Sequence, residues 1–266
     1  MSSYFTGKVV WVTGASSGIG EALAHQLAKQ NAKVILSARN ADALNKVAVR
    51  TGLSPENYLV IPFDLADSSR VKEFAQQAIN KFSRIDLLIN NGGMSQRSEA
   101  LQTTEEVERN LMEVNYFGHV ALTKAVLPHM IEAGGGHVTV VSSIAGKFGF
   151  FLRSSYSAAK HALHGYFECL RLENEKNNIR VLMVCPGKIS TDISIKAARG
   201  DGSNHGTMDK SHVNAVKPDE CAGEILKAIQ KNKLEVFIGG KEILAVHVKR
   251  FFPSWFHAII RRRTVE

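Results

Sequence analysis

The run Val9-Val10-Trp11-Val12-Thr13-Gly14-Ala15-Ser16-Ser17-Gly18-Ile19-Gly20 decides the fold of this chain of 266 residues. Its first residues are mostly apolar and predict a buried strand, and the glycine-rich turn after them leads into an amphipathic stretch that predicts a helix. Gly14 and Gly18 permit a tight turn, and Gly20 lets the helix pack against the sheet. The spacing is G-x-x-x-G-x-G rather than the more familiar G-x-G-x-x-G, yet its place between a strand and a helix indicates a site for the phosphates of a dinucleotide.

Short apolar runs alternate with amphipathic stretches along the rest of the chain. The predicted strands cover Val9–Thr13, Lys33–Ala38, Tyr58–Phe63, Leu87–Asn90, His137–Ser142, Arg180–Cys185 and Glu235–Ile238. The predicted helices cover Gly18–Gln30, Ala41–Thr51, Ser68–Lys81, Thr104–Ala133, Ser154–Asn177 and Pro218–Lys231. Continuous apolar strands are typical of a parallel sheet that is covered on both faces. The alternation therefore predicts an α/β fold, namely a Rossmann-type, doubly wound sheet of seven parallel strands flanked by helices.

The chain is interpreted as one domain, because 266 residues of which 44% are hydrophobic can bury a single substantial core. Residues 1–240 form the dinucleotide-binding part, and residues 241–266 form a basic, amphipathic C-terminal extension of the same domain. The segment 190–217 is long for a plain connection, so it is either a flap over the site or a disordered surface loop.

Three cysteines, an odd number without metal-type spacing, argue against a disulfide framework and indicate a reducing, cytoplasmic environment. Neither these cysteines nor the scattered histidines predict a metal site. The first residues lack the apolar stretch of a signal peptide or membrane anchor, and no run of about 18 apolar residues occurs.

The net charge of +8 is concentrated at the C-terminus. The tail holds Lys241, Lys249, Arg250, Arg261, Arg262 and Arg263 against two glutamates, which is half of the excess. No basic-aromatic module accompanies this charge, so we expect no nucleic-acid partner. A solvated face is the simplest interpretation. The tail predicts two short helices broken at Pro253, which lie on an anionic membrane surface, pack against a partner subunit or cover the substrate entrance.

The chemistry is indicated by Ser143, Tyr156 and Lys160, with Tyr156 and Lys160 four residues apart on one helix face. A free tyrosine has a pKa near 10, which is too high for acid–base catalysis at neutral pH. We expect the Lys160 ammonium to lower the pKa of Tyr156, so that the phenol exchanges a proton with a carbonyl or alcohol oxygen. Ser143, at the end of a predicted strand, would hydrogen-bond the same oxygen. A phosphate cradle beside such a proton relay indicates a carbonyl/alcohol oxidoreductase.

Arg39 indicates which nicotinamide cofactor this enzyme would use. A site that prefers NAD places an acid at the end of the second strand, on the ribose hydroxyls. Here that strand is followed by Arg39, which suits a 2′-phosphate. We therefore predict NADP(H); the competing interpretation is an ordinary surface charge.

These residues resemble the short-chain dehydrogenase/reductase family over about residues 8–238. The family's T-G-x-x-x-G-x-G is present as Thr13 to Gly20, and its N-N-A-G as Asn90-Asn91-Gly92-Gly93, with glycine in place of alanine. The match also implies that Asn115 bends a helix and holds a water near Lys160, and that Lys160 binds the nicotinamide ribose. The catalytic set implied is Asn115, Ser143, Tyr156 and Lys160. The cofactor-binding set implied is Gly14, Ser16, Ser17, Gly18, Ile19, Gly20, Arg39, Asp64, Leu65, Asn91, Gly92, Tyr156, Lys160, Pro186, Gly187, Ile189 and Thr191.

Within the family, the run 91–98 and the ending 251–256 resemble the dehydrogenase/reductase member 7 group, near 11-beta-hydroxysteroid dehydrogenase type 1. The branch implies a lipophilic ketone, aldehyde or secondary alcohol of steroid, retinoid or aromatic type, and a homodimer or homotetramer formed through the two long helices. We expect the pocket wall to include Phe148, Phe150, Phe151, Met94, Ser95 and Gln96, with at least one phenylalanine in the core. Two alternatives stay open. One is a non-catalytic NADP(H)-binding sensor or scaffold, and the other is a sugar-nucleotide epimerase or dehydratase, whose larger C-terminal substrate domain has little room after Pro186.

Overall fold

One parallel sheet forms the centre of the molecule. The computed structural model describes residues 4–208 and 215–262. Within these residues seven strands pair in the order β3-β2-β1-β4-β5-β6-β7. They are β1 (Val9–Thr13), β2 (Lys33–Ser37), β3 (Tyr58–Val60), β4 (Leu87–Asn90), β5 (Gly136–Val141), β6 (Ile179–Pro186) and β7 (Glu235–Ile238). The predicted fold class is confirmed. Residues 209–214 of the predicted irregular segment, and Arg263 of the basic tail, lie outside the described residues.

The strand order reverses beside β1, because β2 and β3 lie on one side of it and β4 to β7 on the other. In doubly wound sheets this switch point opens a crevice beyond the carboxyl ends of the strands, where ligands bind. The register of Thr13 with Ser37, and of Val12 with Ile89, brings the ends of β1, β2 and β4 to the same edge.

Helices cover both faces of the sheet. They are α1 (Gly18–Lys29), α2 (Ala41–Thr51), α3 (Val71–Phe82), α4 (Glu105–Met112), α5 (Gly118–Glu132), α6 (Ser154–Glu173), α7 (Pro218–Gln230), α8 (Leu244–Phe251) and α9 (Pro253–Ile260). One core layer packs α1, α2 and α7 against the sheet through side chains such as Leu27 and Ile225. The other packs α3, α5 and α6 through side chains such as Phe74, Leu122 and Phe167. Burial of these large apolar groups is the main stabilising term of the fold.

Most elements match the predicted bounds to within one residue, but α3 begins at Val71 rather than Ser68 and α6 ends at Glu173 rather than Asn177. The strand β3 ends at Val60 rather than Phe63, although Phe63 N–H still donates to the Ala38 carbonyl at 3.1 Å. The single helix predicted over Thr104–Ala133 divides into α4, a π-helical turn over Glu113–Phe117, and α5. The tail behaves as predicted, because α8 ends before Phe252 and Pro253 begins α9.

A short helical turn, Lys241–Ile243, joins β7 to α8. The division of the chain at residue 240 stays a prediction. Among the described residues, every helix is too short or too polar to cross a bilayer.

Candidate active site

The turn between β1 and α1 has the geometry of a phosphate cradle. Gly14 and Gly18 have φ values of 65° and 57°, which L-residues with a side chain rarely adopt. A Cβ on Gly20 would collide with the carbonyl oxygen of Gly14, and a Cβ on Gly14 would lie 2.7 Å from the Gly92 Cα. The turn therefore excludes side chains at these three positions, and the N-terminus of α1 offers a positive dipole end to an anion.

The hydroxyl of Thr13 joins this turn to the segment after β4. It accepts the backbone N–H groups of Asn91 at 2.9 Å and Gly92 at 3.0 Å. The Asn91 side chain in turn donates to the Thr13 carbonyl at 2.9 Å. Buried His119 lies 2.8 Å from the Gly92 carbonyl oxygen, and burial lowers the pKa of this histidine to about 3. Asn91 therefore has a structural task besides any contact with a cofactor.

The other predicted cofactor residues lie at the same edge. Arg39 lies two residues after the end of β2, is exposed, and has no ion pair with any acid in the described part of the chain. Leu65 lies against Gly92, since a Cβ on Gly92 would lie 2.5 Å from the Leu65 Cδ1. Thr191 lies against the turn as well, because a Cβ on Gly18 would lie 3.1 Å from its Cγ2. Asp64, by contrast, uses its carboxylate to accept the Ala66 N–H at 3.0 Å, which is a turn role.

The segment after β6 contains the predicted Pro186 and Gly187, and it is held by a residue that the sequence analysis missed. Glu242, from the turn after β7, accepts the Lys188 N–H at 2.9 Å and the Gly240 N–H at 3.1 Å. A Cβ on Gly187 would lie 2.5 Å from this carboxylate. In the sequence Glu242 was only an acid in a basic tail, and no local pattern could have predicted its contact with Gly187 and Lys188 after β6.

The structure brings Ser143, Tyr156 and Lys160 together beyond the ends of β5 and β6. The Ser143 hydroxyl lies 3.4 Å from the Pro186 carbonyl oxygen, to which it donates, and accepts the Ala145 N–H at 3.1 Å. Its neighbour Ser142 is buried and donates to the Lys160 carbonyl at 3.1 Å. This supports Ser143 as the serine that faces the site. The buried Lys160 ammonium donates to the Val141 carbonyl at 2.9 Å.

The expected cause of Tyr156 acidity is wrong for this structure. Lys160 Nζ lies 5.8 Å from the centroid of the Tyr156 ring. Burial raises the pKa of Tyr156 above its ordinary value, against the opposing effects of a Ser143 hydrogen bond and the charges of Arg153 and Arg97. Burial also lowers the pKa of Lys160 to about 8. The phenol is therefore protonated at neutral pH, which suits a proton donor.

Asn115 occupies the π-helical turn between α4 and α5 and is fully buried. Its side-chain amide donates to the carbonyls of Met94 and Leu111, both at 3.0 Å, and its Oδ1 accepts the Met94 N–H at 3.1 Å. A π-helical turn leaves a backbone carbonyl without its usual helical partner. Here the Asn115 side chain donates to the carbonyl of Leu111. The helix is thus irregular at Asn115, where the resemblance implied a bend, while the water-holding role of Asn115 stays a prediction.

Two of the expected pocket residues have other tasks. Gln96 is 0% exposed and uses its amide to hold the start of α6. Phe148 is buried against Phe256 of α9, with ring centroids 5.0 Å apart, so the tail covers the segment that follows Ser143. Phe150 and Phe151 remain at the surface, and Phe151 is 41% exposed.

A second polar cluster lies beside the site, where His164, Cys185 and Glu235 place ligand-type atoms within 4.8 Å of one another. The sequence did not predict that any cysteine and histidine would meet. The ammonium of Lys147 lies among them, 2.6 Å from a Glu235 carboxylate oxygen and 3.2 Å from His164 Nδ1. Burial raises the pKa of the Cys185 thiol, so sulfur stays protonated and is a poor metal ligand. The Lys147 ammonium already neutralises the Glu235 carboxylate, in the place where a metal ion would do so.

A glycine cradle at the switch point of a doubly wound sheet, beside a serine, a tyrosine and a lysine, is typical of dinucleotide-dependent oxidoreductases. The short chain dehydrogenase family matches residues 8–201, and the chain belongs to this family. The chain is 38% identical to "Dehydrogenase/reductase SDR family protein 7-like" of Drosophila melanogaster, over 98% of this chain and 81% of the relative. It is also 38% identical to "Dehydrogenase/reductase SDR family member 7B" of Mus musculus, over 98% of this chain and 82% of that protein. The predicted resemblance to the member 7 group is confirmed.

Solved structures agree with the family. A short-chain dehydrogenase from Streptomyces avermitilis is 31% identical, covers 96% of this chain and 98% of its own, and has a TM-score of 0.81. A metagenomic short-chain oxidoreductase in complex with NADP is 29% identical, with 89% and 98% coverage and a TM-score of 0.73. A Burkholderia phymatum member in complex with NAD is 20% identical at a TM-score of 0.83, over 98% of this chain and 97% of its own, and shares the fold.

Proposed function

We propose that this chain is an NADP(H)-dependent oxidoreductase that reduces a lipophilic ketone or aldehyde, or oxidises the corresponding secondary alcohol. The observation that carries the proposal is the meeting of buried Tyr156, Lys160 and the Ser143 hydroxyl beyond the carboxyl ends of β5 and β6, next to the glycine cradle. A nicotinamide dinucleotide, when bound, supplies or accepts the hydride.

Tyr156 supplies the proton. Because burial raises the pKa of its phenol, Tyr156 carries a proton at neutral pH that it can donate to a carbonyl oxygen. Ser143 donates a hydrogen bond to the same oxygen and stabilises the charge that develops there. Lys160, with its Nζ 5.8 Å from the centroid of the Tyr156 ring, would bind the nicotinamide ribose. Alcohol oxidation, the reverse reaction, begins from the deprotonated phenol.

The test is Tyr156→Phe, with Tyr166→Phe on the same helix as a matched control. We expect Y156F to lower kcat for NADPH-dependent reduction of phenanthrenequinone, or of a panel of lipophilic ketones, by about 10² to 10⁴-fold, because the proton donor is lost. NADPH binding, followed by fluorescence, should be unchanged in both variants. A Y156F enzyme as fast as the parent would overturn the proposal. NADPH binding without turnover by the parent on the whole panel would favour the sensor alternative.

The NADP(H) preference rests on Arg39. Its exposed position after β2, with no acid of the described residues paired to it, leaves the guanidinium available to a 2′-phosphate. Arg39→Asp should shift the NADP/NAD ratio of kcat/KM toward NAD by about tenfold or more, since it replaces a charge-assisted hydrogen bond with repulsion. Arg180→Asp, at the amino end of β6 and away from the cradle, makes the same charge change and should leave the NADP/NAD ratio of kcat/KM unchanged. An unchanged ratio in R39D would refute the assignment.

The tail carries the proposal of a peripheral membrane contact. Phe251, Phe252 and Trp255 are 70%, 61% and 59% exposed, and lysines and arginines flank them. Apolar rings beside basic side chains suit an anionic lipid surface. The chain has two tryptophans, and Trp11 is fully buried, so a blue shift on adding phosphatidylserine vesicles would report Trp255. No shift in the parent, or the same shift in Trp255→Phe, would exclude this contact.

Self-association is proposed through α4, α5 and α6. Phe117 and Leu172 are exposed apolar groups on or next to these helices, 48% and 74% accessible. Light scattering would give the mass, and Leu172→Lys should shift it toward the monomer. The cytoplasmic location stays a prediction.

A further inference from the structure

The N-terminus of α6 is capped by a residue from far away in the chain. Arg153 stands at the N-cap position, but its side chain forms no cap bond. The first N–H groups of a helix have no partner within it, and an N-cap side chain normally accepts those of the second or third helical residue. Here these residues are Ser155 and Tyr156, and both N–H groups donate to the Gln96 side-chain oxygen, at 3.0 and 3.1 Å.

Burial and hydrogen bonds fix the side chain of Gln96 in place. It is 0% exposed, and its Nε2 donates to the hydroxyls of Thr103 at 3.0 Å and Ser154 at 3.3 Å. Its backbone neighbours hydrogen-bond to the loop after β6, since Arg97 N–H donates to the Ala198 carbonyl at 2.8 Å and Ala198 N–H donates to the Ser95 carbonyl at 2.9 Å. Gln96 and its backbone neighbours thus link the loop after β6 to the backbone of the candidate proton donor.

We propose that Gln96 is a positioning residue, which sets the place of Tyr156 by capping α6 at the tyrosine's own N–H. This inference rests on the proposed function, in which Tyr156 donates the proton. Tyr156 sits on the first turn of α6, where helix ends fray most easily, and a displaced phenol loses its reach to the substrate oxygen.

The test compares two variants of Gln96 with a matched surface control. Gln96→Met keeps the length of the side chain but removes the acceptor, and Gln96→Glu keeps an oxygen for both N–H groups. Gln76→Met makes the same change on the exposed face of α3. We expect Q96M to lower kcat with phenanthrenequinone by about tenfold, with the NADPH dissociation constant unchanged. Q96E should recover most of kcat, and Q76M should behave as the parent.

The pH profile separates positioning from plain stability. The added negative charge in Q96E raises the pKa of the Tyr156 phenol, so the alkaline limit of ketone reduction should move to higher pH in Q96E. The same pKa shift should appear when Cζ-labelled tyrosine is titrated and followed by carbon NMR, a measurement that needs no turnover. The Tyr156 signal is the one that is absent in Y156F. A Q96M enzyme with the parent's kcat and a lower Tm, or Q96E with an unmoved Tyr156 pKa, would overturn the inference.

Y156F in the same series distinguishes the two ideas. Loss of activity in Y156F together with full activity in Q96M would defeat the role of Gln96 alone. Full activity in Y156F would defeat the proposed function and this inference with it.

Discussion

Buried histidines, His119 and His137 among them, should make the protein sensitive to acid. Burial lowers the pKa of His119 from 6.5 to about 3, with a smaller effect of Lys160, and burial also lowers the pKa of His137 to about 3. Below pH 6.5 the unfolded chain takes up a proton at each position while the native chain does not, so stability is complete above this pH and falls as the pH drops toward 3. At about pH 5 the loss is about 2 kcal/mol for each histidine, or about 4 kcal/mol for both.

The perturbation that isolates this effect is His119→Gln. The glutamine amide can still donate to the Gly92 carbonyl but takes up no proton, so the variant should lose about 2 kcal/mol less than the parent between about pH 8 and pH 5. Urea unfolding followed by circular dichroism at several pH values would measure the free energy of unfolding. Thr123→Val is the control: it removes the acceptor of the Asn90 amide, at 2.8 Å, and should cost about 1 kcal/mol at every pH. Equal pH slopes for H119Q and the parent would refute the reasoning.

The remaining predictions concern the cradle and the two serines. Gly20→Ala should weaken NADPH binding by at least about tenfold, because its methyl group would collide with the Gly14 carbonyl. Gly165→Ala in α6, where a Cβ meets no other atom, should instead stabilise the fold by roughly 0.5–1 kcal/mol. Fluorescence titration with NADPH and the Tm would check the two variants, and tight NADPH binding by G20A would contradict the cradle. Ser143→Ala should lower kcat by about 10² to 10³-fold. Ser142→Ala loses the hydrogen bond to the Lys160 carbonyl and should mainly lower the free energy of unfolding, by about 1 kcal/mol. Equal losses of kcat in the two variants would contradict the assignment of Ser143.

The sequence alone determined the fold class, because its signals are local. Apolar runs, helical periodicity and the glycine pattern from Gly14 to Gly20 depend only on neighbours in the chain, and they predicted the sheet of the described residues correctly, although several element bounds differ. The spacing also predicted that Ser143, Tyr156 and Lys160 lie together, as they do in the structure, while their catalytic roles stay a proposal.

Tertiary structure decided what the side chains around that set do. No local pattern could show that Gln96 caps Tyr156 from 60 residues away, that Glu242 holds the loop after β6, or that Cys185 meets His164. The direction of the Tyr156 pKa was mistaken for the same reason. The spacing to Lys160 is visible in the sequence, but desolvation depends on every element that packs over the phenol, and here burial has a larger effect than the charges nearby.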